Sequence, residues 1–197
     1  MKQQLRDLRN MLLRRRLKNH DFTIIANNCI AGCVLHDLKH RFDTPTINLY
    51  IPFPDYIVFL QNLRTFVYAD FEELPNEGGC PKGLCGGAIR VFFLHYPSYE
   101  EGVKAWKKRA ERIHWDNLYI VLAERDGCTY QDLHTFDSLL YTHKVALTHK
   151  HYIDIKSSFC IKGYSSQNEI GNIMNFNGYF GFKIYDQFNW VSFLNKK

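Results

Sequence analysis

The stretch FTIIANNCIAGCVLHDL, residues 22–38, contains the pattern that decides the predicted fold. Its apolar, β-branched beginning, Phe22–Ala26, predicts a buried strand that ends at two asparagines and a cysteine. Apolar residues at helical spacing follow at once and predict a helix over Cys29–Lys39. A strand that leads directly into a helix is the repeating unit of parallel α/β sheets.

The same alternation continues through most of the chain. Further strands are predicted at Thr46–Ile51, Ala88–Leu94, Leu118–Ala123, Lys144–Leu147 and Ser158–Ile161. Further helices are predicted from Pro54 or Asp55 to Tyr68, from a Ser98 cap paired with Glu101 to about Ile113, from a Thr129 cap paired with Asp132 to about Leu139, and over Asn168–Asn175 and Asp186–Leu194. Residues 73–87, ELPNEGGCPKGLCGG, predict a loop. We therefore expect one three-layer α/β/α domain over residues 21–197, with a mainly parallel central sheet.

The composition limits the classes of function. The chain has 197 residues, of which 46% are hydrophobic and 15% aromatic, and this argues against disorder. No apolar run approaches the ~20 residues that span a bilayer, and the basic N-terminus lacks the features of a secretory signal. We therefore expect a cytoplasmic protein, with a peripheral position at the inner face of the membrane as an alternative.

The net charge of +5 is concentrated in an N-terminal basic arm, residues 1–20. This arm holds seven of the 25 Lys and Arg residues and one of the 20 acidic residues, so the rest of the chain is close to neutral. A neutral body argues against binding of nucleic acid. Leu5, Leu8 and Leu12 form a stripe at helical spacing, opposite the arginines. Two interpretations stay open: a helix packed on the body with a solvated basic face, or a helix within residues 1–18 that docks on a membrane surface or a protein partner.

Polar or ionisable residues follow four of the predicted strands. They are Asn27, Asn28 and Cys29; His95 and Tyr96; Glu124, Arg125, Asp126 and Gly127; and Thr148, His149 and Lys150. Sites in parallel α/β sheets lie beyond the carboxyl ends of the strands. We therefore expect these four groups to share one rim, and we place the candidate site there.

His95 and Asp126 are the candidate catalytic residues. His95 would be a general base, and Asp126 would be a base or would accept a hydrogen bond from a sugar hydroxyl. The structural alternatives are a histidine packed beside Tyr96 and an Asp-Gly turn.

The remaining candidates would bind the ligand. Asn27, Asn28 and Cys29 lie at a predicted helix start, where they would hold a phosphate or carboxylate, or the asparagines would only cap the helix. Gly32 would let the first helical turn approach a ligand closely, and Cys29 would be a nucleophile if its thiol pKa were lowered. Arg109, paired with Arg112, and Arg125 would grip a phosphate, although for Arg109 we favour an ion pair inside the fold. Tyr96 and Thr148 complete the ligand-binding set.

No metal or cofactor is predicted. The six cysteines are expected to be reduced, and the spacings of Cys29 with Cys33 and of Cys80 with Cys85 are looser than those of a zinc knuckle. The P-loop and dinucleotide-binding glycine motifs do not occur in the sequence.

Four stretches resemble the bacterial family called domain of unknown function 1919. They are NNCIAGCVLHDL, DTPTINLYI, the long segment from Val91 to Tyr152, and GYFGFKIYDQFNWVSFLN. The resemblance covers about Phe22 to Leu194, leaves the basic arm outside, and departs in the loop that holds Cys80 and Cys85. It implies an α/β fold and a link to exopolysaccharide, capsule or lipopolysaccharide assembly. It supplies no established activity and no catalytic residues.

These observations lead to three hypotheses of function. The first is a transferase that uses a phosphate-containing sugar donor, such as a nucleotide sugar, or acts on a glycan; it would be metal-independent because the sequence has no Asp-x-Asp signature. The second is a non-catalytic accessory or docking protein of a surface-polysaccharide system. The third and least favoured is an acyl-type transferase that uses Cys29 or His95, since no nucleophile-elbow pattern is present.

Overall fold

The computed structural model describes residues 1–76 and 79–196. The helices are α1 Lys2–Arg16, α2 Ile30–Asp37, α3 Asp55–Gln61, α4 Leu63–Val67, α5 Tyr99–Ala110, α6 Tyr130–Ser138 and α7 Trp190–Leu194. The strands are β1 Thr23–Ala26, β2 Phe71–Glu73, β3 Lys82–Cys85, β4 Ile89–Phe92, β5 Leu118–Ala123, β6 His143–Thr148 and β7 Ser158–Cys160. A short 3-10 helix covers Ile184–Gln187.

The central sheet has four parallel strands in the order β1-β5-β6-β7. Alternate residues of the sheet face opposite sides: Ile24 and Val121 belong to the hydrophobic cluster that includes α2 and α7, whereas Ile25 and Ile120 belong to the cluster that includes α3 to α6. Hydrophobic residues thus pack on both faces, as expected for a parallel sheet. The α/β class and the mainly parallel sheet are confirmed, and the three-layer arrangement stays a prediction.

A second sheet, which the sequence did not predict, joins β2, β3 and β4 in antiparallel order. The predicted strand Ala88–Leu94 is therefore real but belongs to this sheet, and β3 lies inside the predicted loop 73–87. The predicted strand Thr46–Ile51 forms no regular ladder. It is an extended segment between the two sheets, with Ala26 N donating to Thr46 Oγ1 on one side and Tyr50 N donating to Phe92 O on the other.

Three helix predictions need correction. The helix predicted to reach Tyr68 is broken at Asn62, whose backbone (φ −132°, ψ 41°) is not helical. Residues 168–175 form turns rather than a helix. Their backbone groups bind other elements: Ile170 N donates to Glu124 O, and Ile173 O accepts from Tyr185 N. The last predicted helix is divided into the 3-10 helix and α7. By contrast, the Ser98 and Thr129 caps are present, and Thr129 forms a reciprocal box with Asp132.

Helix α1 forms as predicted, but the face that it buries is unexpected. Arg6 and Asn10 point inward and are 1% and 3% exposed, whereas Leu5, Leu8 and Leu12 are 37–54% exposed. The interpretation of a packed helix with a solvated basic face is therefore wrong in one respect, because an arginine lies inside and the leucines lie outside. None of the helices in the described residues combines the length and apolar composition needed to cross a bilayer.

Candidate functional site

A cleft of about 500 Å³ opens near the carboxyl ends of β1 and β5. Its lining comes from separate chain segments and consists of Asn28, Cys29, Tyr50, Leu94, His95, Arg125, Asp126, Asn172 and Met174. Five of the predicted site residues therefore surround one space: Asn28, Cys29, His95, Arg125 and Asp126. Three of the four groups expected at the shared rim thus contribute to this cleft, whereas Thr148, His149 and Lys150 do not line it. The roles of the five residues stay predictions.

His95 reaches the cleft by a different route from the one predicted. It follows β4, which is not part of the parallel sheet, so the rule about the carboxyl ends of parallel strands does not place it. Instead, Tyr50 pairs with Phe92, and His95 N donates to Asn48 O at 3.3 Å. The segment 46–51 thereby holds the end of β4 beside β1. The His95 side chain is exposed and has no hydrogen-bond partner among the described residues.

Asn28 shapes the start of α2. Its Oδ1 accepts a hydrogen bond from Ile30 N at 3.1 Å, an Asx turn that satisfies one free backbone donor of the helix. The capping interpretation is therefore part of its role. The Nδ2 group has no partner among the described residues, and Asn28 lines the cleft. It is thus available as a donor to a ligand.

Arg125 and Asp126 lie on a tight turn after β5. Asp126 and Gly127 have φ values of 58° and 86°, and Cys128 N donates to Arg125 O. Positive φ at both central positions is typical of a type I′ turn, which explains the Asp-Gly pair. Asp126 N donates to a carboxylate oxygen of Glu169 at 2.7 Å, which ties the turn to the segment opposite.

The charges on this turn are partly paired. Arg125 Nε donates to Asp126 Oδ2 at 2.9 Å, and both side chains are about one-third exposed. The two Nη groups of Arg125 have no partner among the described residues. A guanidinium with free donors and a carboxylate are therefore presented together, one for an anion and one for hydroxyl groups.

Cys29 is not an activated nucleophile. Burial raises the pKa of its thiol, the neighbouring Cys33 raises it further, and the positive charge of Arg125 offsets only part of this. The thiol is therefore protonated at neutral pH, which argues against the acyl-transferase hypothesis. Burial likewise raises the pKa of Tyr50, the phenol that lines the cleft, so it is a neutral hydrogen-bonding group.

Two predicted ligand-binding residues are buried and form hydrogen bonds inside the fold. Asn27 is completely buried, and its amide exchanges two hydrogen bonds with the backbone of Ala123, at 3.0 and 3.2 Å. It extends the β1-β5 pairing and is not accessible to a ligand. Thr148 is also completely buried, and its hydroxyl donates to Lys150 O at 2.8 Å. Both residues are structural.

Tyr96 and Arg109 lie together, outside the lining of the cleft. The Tyr96 hydroxyl donates to Ile47 O at 3.0 Å and accepts a hydrogen bond from Arg109. The Arg109 guanidinium lies 5.9 Å from the ring centres of Phe42 and Tyr96. A structural role for Arg109 was favoured from the sequence, but its partners are aromatic rather than acidic.

Gly32 lies in a second cleft of about 330 Å³, which shares Cys29 and His95 with the first. A methyl group at Gly32 would make ordinary contacts with Ile47, the nearest at 3.6 Å. No close approach to a neighbouring residue therefore requires a glycine here, and the approach of a ligand to Gly32 stays a prediction.

The sequence reasoning missed several residues. Tyr50, Leu94, Asn172 and Met174 line the cleft. The only signal for Asn172 was the Gly171-Asn172 pair, which is typical of a turn and was interpreted as helix.

Two residues that were expected at the shared rim, Glu124 and His149, instead belong to a buried polar network beyond the ends of β5 and β6, and this network was not predicted. Glu124 accepts hydrogen bonds from His149 Nδ1 at 2.8 Å and from the Tyr152 hydroxyl at 2.6 Å. Glu124 and Tyr152 do not line the cleft, and the network joins the segments after the two strands. Within the described residues, no group of three or more His, Cys, Asp or Glu side chains is arranged to hold a metal.

Comparison with known proteins identifies the family. The model of the domain of unknown function DUF1919 matches residues 1–195. An uncharacterized protein of Haemophilus influenzae is 38% identical over 186 residues, which is 94% of this chain and 90% of that protein. The match includes residues 1–20, so the expectation that the basic arm lies outside the family is wrong. The chain belongs to the DUF1919 family.

Proposed function

We propose that the protein is a glycosyl or related transferase that binds a phosphate-containing sugar donor in the cleft of about 500 Å³. The observation that carries this proposal is the grouping of Asn28, His95, Arg125 and Asp126 around one space. The substrate class follows the link to exopolysaccharide, capsule or lipopolysaccharide assembly that the family resemblance implies.

The polar groups suit the two halves of such a donor. The free Nη groups of Arg125 and the amide of Asn28 are donors for phosphate oxygens. The carboxylate of Asp126 accepts hydrogen bonds from sugar hydroxyls. Tyr50, Leu94 and Met174 provide an apolar wall against which a sugar or a base can pack.

In the proposed transfer, an acceptor hydroxyl attacks the anomeric carbon of the donor. The bond between that carbon and the phosphate oxygen breaks, and its electron pair leaves with the phosphate. His95, the exposed imidazole of the cleft, takes the proton of the acceptor hydroxyl. Arg125 stabilises the negative charge that develops on the departing phosphate.

Thermal unfolding with a panel of nucleotide sugars tests the binding. A ligand at a hundred times its dissociation constant stabilises by about 2.7 kcal/mol, which is a rise in Tm of roughly 5 to 11 °C for a chain of this size. The rise should be lost in Arg125→Gln and reduced in Asn28→Ala, each compared with its own ligand-free Tm. Arg112→Gln is the matched control, because Arg112 does not line the cleft.

Turnover tests the catalytic role once a stabilising donor is known. His95→Ala should retain the thermal shift and lower the transfer rate by about 10²- to 10⁴-fold. His151→Ala, at another exposed histidine, should leave the rate unchanged. A panel without any stabilising sugar would contradict the proposal and favour the accessory-protein hypothesis.

A further inference from the structure

The outer face of α1 and the loop 176–182 form an exposed apolar surface, which we call the α1 surface. It consists of Leu5, Leu8, Leu12, Tyr179, Phe180 and Phe182. The three leucines are 37–54% exposed, and Tyr179 and Phe180 are 76% and 73% exposed. Leu12 and Phe182 line one shared cavity, which joins the stripe to the loop. Exposed apolar groups that lie together on a folded domain indicate an interaction site.

The setting of α1 explains why the leucines face outward. At 100° per residue, Arg6 and Asn10 lie roughly 150° from the centre of the leucine stripe. Both are buried, where Arg6 pairs with Asp37 and Asp186, and Asn10 Nδ2 donates to Asp37 Oδ1 at 2.8 Å. The helix therefore buries these two polar residues beside Leu13, which packs against the core, and leaves the leucine stripe exposed.

The loop is fixed beside this stripe. Arg6 Nη1 donates to Gly181 O at 3.1 Å, Lys2 Nζ lies 5.4 Å from the Tyr179 ring centre, and the Arg9 guanidinium lies 4.9 Å from that of Phe182. Gly181 has a φ of +72°, and a Cβ atom there would lie 2.5 Å from Lys2 O. Only glycine fits this approach, so the aromatic residues are held against the helix by the fold.

We propose that the α1 surface binds an anionic membrane. Exposed cations surround it, since Lys2, Arg15 and Arg16 lie on α1 and are solvent-accessible. Leucines and aromatic rings bordered by Lys and Arg are typical of helices that lie in the lipid headgroup region. A second copy of this chain is a poor occupant, because the two basic arms would repel each other.

The dimensions fit a helix that lies parallel to the bilayer. Leu5 and Leu12 are about 10 Å apart along the axis, so the stripe enters the headgroup and acyl boundary without crossing it. Each cation near an anionic surface strengthens binding about fivefold, and so does the burial of the remaining half of each leucine.

Co-sedimentation of the full chain with vesicles tests this inference. Vesicles of phosphatidylcholine with 30% phosphatidylglycerol should bind the protein, those of phosphatidylcholine alone should bind it far more weakly, and added salt should weaken binding. Leu8→Gln with Leu12→Gln should reduce the partition coefficient on anionic vesicles by roughly 25-fold, and so should Arg15→Gln with Arg16→Gln. These changes leave Arg6, Asn10 and the cleft intact.

The matched control for the leucines is Leu140→Gln with Ile153→Gln, two residues that are 102% and 91% exposed and lie outside the α1 surface. This control should bind like the parent chain. Equal binding to neutral and anionic vesicles, no binding to either, or equal binding by the leucine variant and the control would each overturn the inference. Neither the vesicles nor these variants involve the cleft, so the result is independent of the proposed transferase activity.

Discussion

Replacing Arg6 with methionine tests how α1 is anchored. Arg6 is 1% exposed, and its guanidinium binds four groups: Asp37, the Tyr185 hydroxyl, Asp186 Oδ2 at 2.8 Å and Gly181 O at 3.1 Å. Methionine keeps much of the aliphatic volume and removes every one of these bonds. Asp37 and Asp186 then stay buried without the guanidinium that balances their charge.

The loss of unfolding free energy in Arg6→Met depends on the hydrogen bonds that the two carboxylates keep. Removing one partner of a buried ion pair costs about 3–5 kcal/mol. Here neither carboxylate is left bare, because Asp37 keeps Asn10 Nδ2 at 2.8 Å, and Asp186 keeps Arg9 Nη1 at 3.1 Å and Lys183 N at 2.7 Å. We therefore expect the low end, about 3 kcal/mol, which is a fall in Tm of about 6–12 °C.

Urea unfolding of Arg6→Met and of Arg15→Met provides the comparison. Arg15 lies on the same helix and is exposed, so its substitution should change the unfolding free energy by less than about 0.5 kcal/mol. If the urea midpoint of Arg6→Met lies as close to that of the parent as the midpoint of Arg15→Met does, the expected loss of about 3 kcal/mol in unfolding free energy is refuted. Trypsin cleavage after Arg14, Arg15 or Arg16 gives a second readout, because an unchanged midpoint with faster cleavage would mean that the network anchors only α1.

Two further predictions concern ionisation. Burial disfavours the charged form of Asp55, but the hydrogen bonds and charge of Arg90 outweigh it and hold the pKa of Asp55 below its usual range. This contribution to stability is present above the unfolded-state pKa of about 3.9 and is lost as pH falls through the folded-state value. The loss of unfolding free energy in Asp55→Asn, relative to the parent chain, should therefore shrink below about pH 4. A loss that stays constant between pH 7 and 2.5 would contradict this. Because the pKa of Cys29 is raised, mass spectrometry should show slower alkylation of Cys29 by iodoacetamide at pH 8 than of N-acetylcysteine. An equal or faster rate would restore Cys29 as a candidate nucleophile.

The central sheet could be predicted because its strands carry local signals. Leu118–Ala123 is a continuous apolar run, as expected for a strand covered on both faces, and Asp126-Gly127 marks the turn that follows it. The two cleft segments that directly follow parallel strands, at Asn28 and at Arg125, were located by the same logic. For these residues, position along the chain was enough to infer position in space.

The rest of the cleft depends on contacts between distant segments. His95 was placed near Asn28 on the assumption that its strand lies in the parallel sheet, and it arrives there because segment 46–51 joins β4 to β1. Hydrophobic periodicity identifies a strand but not the sheet to which it pairs. Residues 168–175 were misjudged for a related reason, because their hydrogen bonds go to Glu124 and Tyr185 rather than along a helix.

The orientation of α1 could not be inferred from its pattern of apolar residues. A leucine stripe normally turns inward, and burying the exposed halves of three leucines would contribute roughly 3 kcal/mol. Turning the helix to bury the leucines would withdraw Arg6 from Asp37 and Asp186. Removing that cation from the two carboxylates costs about 3 kcal/mol, which is about the same amount. The polar network, together with Leu13 packed against the core, therefore offsets what burying the stripe would contribute, so the helix keeps the rotation that pairs Arg6 and the leucine stripe stays outside. On this reasoning the α1 surface is preformed, and a bilayer that binds it needs no rearrangement of the fold.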